Sequence, residues 1–117
     1  MTRINCIDIE ELTREHCFAE YREMTRLRHL WPRKKFPGVT TYCMGSGHVL
    51  FFADKGLWLE KRHQALYDRL TNHFGYRIKN IPILNLDHWP PEMMNDWVPS
   101  EDDMRISRGR IDERLKD

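Results

Sequence analysis

The chain has 117 residues, which suits one domain and hardly two, and its 40% hydrophobic content is enough for an ordered core. No apolar run is long enough to span a bilayer, and the start Met1-Thr2-Arg3-Ile4-Asn5 lacks a signal-like apolar stretch, so a cytoplasmic protein without membrane contact is expected. Three cysteines, Cys6, Cys17 and Cys43, without CxxC spacing, and six histidines without an HExxH pattern, argue against a disulfide framework and against a metal centre.

In chain order, the first predicted helix begins near Asp8, where Asp8 and Glu11 have the spacing of a capping box, and runs to about Arg28. Ile9, Leu12, Phe18 and Ala19 supply its apolar positions, and Pro32 and Pro37-Gly38 end any helix there. Val39 to Phe52, rich in Thr, Val, Tyr and Phe, favours a strand by propensity, with a loop into the next helix as the alternative. A second helix is expected from Asp54 to just before Gly75, burying Leu59, Leu66, Leu70 and Phe74 while Lys61, Arg62 and Arg69 face elsewhere. Prolines at 82, 90, 91 and 99 make the following stretch irregular, pinned by Trp89, Met93, Met94 and Trp97. A third helix starts with Ser100 as N-cap and Glu101, Asp102 and Asp103 in its first turn, and has Met104, Ile111 and Leu115 on its apolar side. Arg110 and Arg114 share a face one turn apart. The expected fold class is all-α, three helices in a single domain with long irregular connections.

The net charge of +1 does not by itself point to nucleic acid, but its distribution is uneven. Between residues 22 and 35 lie Arg22, Arg26, Arg28, Arg33, Lys34 and Lys35 against the lone acid Glu23. Such a run is either a solvated face or a surface for phosphates. Gly45-Ser46-Gly47 lacks the ending of a P-loop. Trp58, Trp89 and Trp97 read as core residues, and Trp31, beside the basic cluster, is the tryptophan placed for a DNA contact. Taken alone, Glu23 reads as a helix-surface carboxylate paired with Arg22 or Arg26, and His48 as a structural residue.

Three blocks change that balance. Met1-Thr2-Arg3-Ile4-Asn5 with His16 and Ala19-Glu20-Tyr21-Arg22-Glu23 resembles the phage pyrimidine-dimer DNA glycosylases of the endonuclease V type. Gly45-Ser46-Gly47-His48-Val49 with Phe51-Phe52 and Asp54-Lys55, and then Ile106-Ser107 with Arg110, Asp112 and Glu113, resemble the same family. The resemblance implies a compact three-helix fold and a DNA N-glycosylase with coupled AP-lyase activity on damaged double-stranded DNA, with cyclobutane pyrimidine dimers as the first-choice lesion. It implies that Thr2, once Met1 is removed, supplies an α-amine nucleophile, and that Glu23 is the essential carboxylate. Arg3, Arg22 and Arg26 match phosphate-binding positions, His16 lies near the nucleophile, and Arg110 and Arg114 fall on basic positions of the last helix. Arg33 and Lys34 are taken as further DNA contacts from the basic run. No cofactor or metal is called for, and a monomer is expected. The best-known phage enzyme of the family carries a longer connection between Arg26 and His48 and an aromatic tail beyond the position of Leu115-Lys116-Asp117, so the resemblance carries the amine–carboxylate chemistry further than the lesion preference.

Overall fold

Thr13, rather than Asp8, starts the first helix. In the computed structural model, which describes residues 4–27, 42, 48–77, 86, 89 and 91–116, Ile9–Glu11 form a single 3-10 turn and the Asp8 side chain makes no capping bond. The chain is then extended at Leu12, whose side chain is buried, and the Thr13 hydroxyl accepts the His16 N–H at 3.2 Å. That bond satisfies one of the donors left free at a helix start. Helix α1 (Arg14–Leu27) follows. Its buried stripe, Cys17, Glu20, Tyr21 and Met24, has the spacing of one helical face, with a carboxylate in an otherwise apolar row.

The strand expected over 39–52 does not form where the chain is described. Helix α2 (His48–Phe51) and a 3-10 turn (Phe52–Asp54) occupy its end, and of residues 39–47 the described residues include Tyr42 alone. Aromatic packing overrides β propensity here, since Phe51 and Phe52 turn their rings onto each other and onto Tyr42 and Trp97. Among the described residues, strand-like pairing is limited to the isolated bridge Lys55–Met94.

Helix α3 (Gly56–Asp68) continues into a π-helical turn, Arg69–His73. Leu59, Leu66 and Leu70 are buried as the periodicity predicts, and Gly75 ends the element with φ +74°. The Tyr76 N–H donates to the Leu70 carbonyl at 2.9 Å, a Schellman-type closure that only a left-handed residue such as glycine permits without strain. At the other end, a Cβ on Gly56 would collide with the Met94 sulfur, so a side chain is absent where 91–94 crosses α3. Asn95 fixes that crossing through bonds from its side-chain amide to the carbonyls of Asp54 and Glu92, both 2.8 Å. Trp89 is buried, and Met93, Met94 and Trp97 pack on the core, so they pin the segment as expected.

Helix α4 (Glu101–Lys116) opens with a reciprocal capping box. The Asp103 N–H donates to Ser100 Oγ at 3.1 Å and the Ser100 N–H donates to Asp103 Oδ2 at 3.0 Å. The architecture is all-α, built on the three long helices α1, α3 and α4, with α1 packed on α3 and its π turn. Among the described residues, no helix is long and apolar enough to cross a membrane, and no three His, Cys, Asp or Glu side chains gather as metal ligands.

Candidate active site

The segment Ile4-Asn5-Cys6-Ile7 is buried along its length yet belongs to no helix or strand, so its backbone groups must find partners elsewhere. They find side chains. The Ile4 N–H donates to His48 Nε2 at 3.0 Å, and the Tyr42 hydroxyl donates to the Ile4 carbonyl at 2.7 Å. The Asn5 N–H and its side-chain amide both donate to Glu20 Oε1, at 3.1 and 2.9 Å. The Cys6 N–H donates to Ser107 Oγ at 3.1 Å, and the Arg62 guanidinium donates to the Ile7 carbonyl at 2.6 Å. Side chains from α1, α2, α3 and α4, with Tyr42, thus hold a tail of four residues.

Glu20 is the centre of this cradle. It is fully buried, and Arg62 Nε donates to its Oε2 at 2.7 Å, with a second guanidinium nitrogen 3.3 Å from Oε1. This corrects the expectation that Arg62 faces away from the core. Burial works against the Arg62 charge, but the Glu20 carboxylate beside it more than compensates and raises its pKa. Lys61, by contrast, is exposed and pairs with Asp96 at 2.7 Å.

Proton assignments follow from the geometry. Because His48 Nε2 accepts, its proton sits on Nδ1. The single Tyr42 proton goes to Ile4, so the 2.8 Å contact between Tyr42 and Ser107 uses the serine proton. That leaves Cys6 as donor across its 3.2 Å contact to Ser107 Oγ. Burial pushes the Cys6 thiol and the Tyr42 phenol above their ordinary values, which keeps both protonated. Burial also raises Cys17 to about 11. Cys6 and Cys17 are free thiols, consistent with their reading as small buried side chains.

The sequence-predicted residues distribute around this cradle unevenly. Glu23 is half-buried on α1, one turn beyond Glu20, about 4.5 Å along the axis and about 60° around it. Arg22 is exposed, with its guanidinium 5.0 Å over the Phe18 ring, which itself meets Tyr76 at 5.4 Å. His16 is two turns before Glu23, about 10 Å along the helix, and its Nδ1 lies 2.7 Å from the Thr13 hydroxyl in the α1 cap. It is therefore not in direct contact with the Glu23 carboxylate. Arg110 is half-buried on α4, one turn beyond Ser107. Arg26 and Arg114 lie in α1 and α4, with side chains outside the described residues, as are Thr2, Arg3, Trp31, Arg33 and Lys34 altogether. The three tryptophans read as core are placed there, Trp58 and Trp89 buried and Trp97 packed among the rings.

Glu20, Arg62, Ser107 and Tyr42 carry the cradle, and sequence reasoning assigned them no role. Glu20 had a signal, because it falls on the stripe of Cys17, Tyr21 and Met24 and an acid there demands a buried cation. Ser107 and Tyr42 had none, since their partners lie 101 and 38 residues away.

On the wheel of α1, then, a buried carboxylate grips the tail and a second, half-buried carboxylate follows one turn later. The sequence model of the pyrimidine dimer DNA glycosylase family matches residues 1–81, a span that includes the tail, α1, α2, α3 and Tyr42 but ends before α4. With more than half of its 117 residues matched, this chain belongs to the pyrimidine dimer DNA glycosylase family.

Proposed function

We propose that the protein excises damaged pyrimidines, cyclobutane dimers first among them, from duplex DNA and then cleaves the strand, with the Thr2 α-amine as nucleophile and Glu23 as the catalytic carboxylate. An α-amine titrates near ~8 against ~10.4 for lysine, so far more of it is unprotonated at neutral pH. The neutral amine attacks C1′ of the deoxyribose and the glycosidic bond breaks, its electron pair leaving with the base. Loss of the amine proton and opening of the ring give an imine. Removal of a C2′ proton then expels the 3′ phosphate by β-elimination, and hydrolysis of the imine returns the amine. Glu23 stabilises the cationic sugar and moves protons in these steps. Arg3, Arg22, Arg26, Arg33, Lys34, Arg110 and Arg114 hold backbone phosphates, and His16 lines the same approach. The enzyme works as a monomeric single domain, without a metal.

The observation that carries this reading is the cradle around Ile4–Ile7. Arg3 alone separates Thr2 from Ile4, two residue steps and a reach of about 7 Å at most. A chain pinned at Ile4 by His48 and Tyr42 confines its own amino terminus to that radius. Downstream of Asn5 the chain leads into α1, whose first residue, Arg14, is six residues and about 9 Å before Glu20. Glu23 follows Glu20 by about 4.5 Å along the same helix. Burial already obliges these backbone groups to find partners, and on this reading the five buried side chains that supply them also set where the amino terminus lies.

Borohydride trapping tests this on protein whose Thr2 terminus is verified by mass spectrometry. A covalent complex is expected with a duplex bearing one cyclobutane dimer and with one bearing an abasic site. Glu23→Gln should slow trapping on the dimer duplex by about 10²–10⁴. Trapping on the abasic duplex alone would reduce the protein to a lyase, and trapping on neither would leave a DNA-binding protein of this fold.

A further inference from the structure

His48 lies on α2, remote in sequence from every residue assigned to the chemistry, yet its ring nitrogen is bonded to the first described residue of the tail. We propose that His48 is a positioning residue for the amino-terminal nucleophile, acting through the Ile4 amide as a latch; this rests on the amine mechanism above.

Among the described residues, the tail bonds nearest to Thr2 in the chain are those from His48 and Tyr42 to Ile4. The Glu20, Arg62 and Ser107 bonds act at residues 5 to 7, further from the amine. His48 is 2% exposed, and its ring is wedged edge-on against Tyr42 and Phe52, with centroids 5.6 and 5.5 Å away. A ring held on two sides in this way has little freedom to follow a moving tail, so the tail must follow it. The acceptor is also specific to one tautomer, because Nε2 can take the Ile4 N–H only while Nδ1 carries the proton. Tyr42 completes the grip by donating to the carbonyl of the same residue. The two peptide groups flanking the Ile4 Cα are thereby fixed, and with them the direction in which the chain leaves toward Thr2. Attack on C1′ needs the amine within about 3–3.5 Å along a set line, and a misplacement of about 1 Å can cost about 10²-fold in rate. DNA affinity depends far less on that placement, because Arg3 is the one residue of the tail among those proposed for phosphate contacts and the others belong to other segments.

The test separates rate from affinity. Trapping is followed in single turnover at saturating dimer duplex, and affinity is measured on a duplex carrying a tetrahydrofuran abasic analogue that cannot form the imine. His48→Leu is expected to slow trapping about 10- to 100-fold with affinity within twofold of wild type, and His48→Gln, which restores an acceptor, to recover most of the rate. Because a buried leucine there can also unsettle folding, a second variant leaves every side chain intact. Cys6 permits ligation of a synthetic Thr2–Asn5 thioester to recombinant residues 6–117, with the Ile4 amide nitrogen replaced by ester oxygen. That full-length protein lacks the donor alone and should show the same loss of rate at unchanged affinity. ¹⁵N spectra of the imidazole should show Nε2 as the unprotonated nitrogen in the resting protein. The latch is overturned if the ester protein traps at the wild-type rate, if rate and affinity fall together, or if Nε2 carries the proton. Failure of the wild-type protein to trap at all, with the Nε2 signature present, would instead defeat the amine mechanism and with it the positioning role.

Discussion

Two buried regions meet at Tyr42, and they are built on opposite principles. On one side Phe51, Phe52, Trp58 and Trp97 form a ring cluster whose members touch at 5.0 to 5.9 Å without a hydrogen bond between them. On the other, Glu20, Arg62, His48 and Ser107 surround the tail, and each holds it by a directed polar bond. Ring packing is non-directional and tolerates a change of shape at modest cost. A buried polar network loses more when one member is removed, because the stranded partner keeps its desolvation penalty. The apolar side can thus supply stability, while the polar side fixes the position of one short piece of chain.

The largest effect should come from breaking the buried ion pair. Arg62→Leu leaves the fully buried Glu20 without its cation and is expected to cost about 3–5 kcal/mol in urea unfolding. Phe52→Leu, in the ring cluster, should cost only about 1.5 kcal/mol. Replacing both charges, Glu20→Leu with Arg62→Leu, should recover only part of the stability, since the unpaired charge is gone but the buried Asn5 N–H and Ile7 carbonyl have lost Glu20 and Arg62 as partners. It should not recover trapping, because the Asn5 N–H has then lost its acceptor. A double variant with wild-type trapping would show that the cradle is only packing.

An intermediate effect is expected from His63, which stacks on Tyr21 at 4.4 Å and whose buried Nε2 has no hydrogen-bond partner. Burial lowers its pKa to about 4 from 6.5. The unfolded chain therefore takes up a proton between about pH 6.5 and 4 that the folded protein refuses, and stability falls as pH drops through that window. The full loss is at most about 3 kcal/mol, reached near pH 4. Above pH 6.5 the group contributes no slope. His63→Phe should flatten the dependence of Tm on pH in this window, and an unchanged slope would assign the acid sensitivity to other groups. Burial also raises Tyr21 to about 12, so neither ring of the stack is charged near neutrality.

Local rules made part of this molecule readable. The leucine spacing of α3, the glycine at its end and the serine before α4 each act within a few residues, and each appears where the sequence indicates. Asp8 misled because its spacing to Glu11 fits a cap, whereas the chain closes a 3-10 turn there and leaves capping to Thr13. Arg62 misled because a charge on a helix is normally solvated, and only its partner on α1 explains its burial. The family blocks located the tail and α1 with Glu20 and Glu23 side by side, but could not say that Glu20 faces inward. His48 was legible as structural, and what it holds was not, because 44 residues separate it from Ile4.

The smallest predicted change is also the most discriminating, since α4 carries one serine in each kind of setting. Ser100 caps the helix in an exposed reciprocal pair with Asp103, where water can replace the lost bond. Ser107 is fully buried and joins the Cys6 amide, the Cys6 thiol and the Tyr42 hydroxyl. Ser100→Ala should cost about 1 kcal/mol and leave trapping untouched, because fraying stays in the first turn of α4. Ser107→Ala removes the same atom but strands a buried amide, so about 1–3 kcal/mol is expected, together with slower trapping. Chemical denaturation and single-turnover trapping on both proteins check this. Equal losses of stability with equal trapping would mean that Ser107 is merely a packed residue. A loss of rate confined to Ser107→Ala would show that the polar bonds along the tail, and not the helix that bears them, determine where the amino terminus sits.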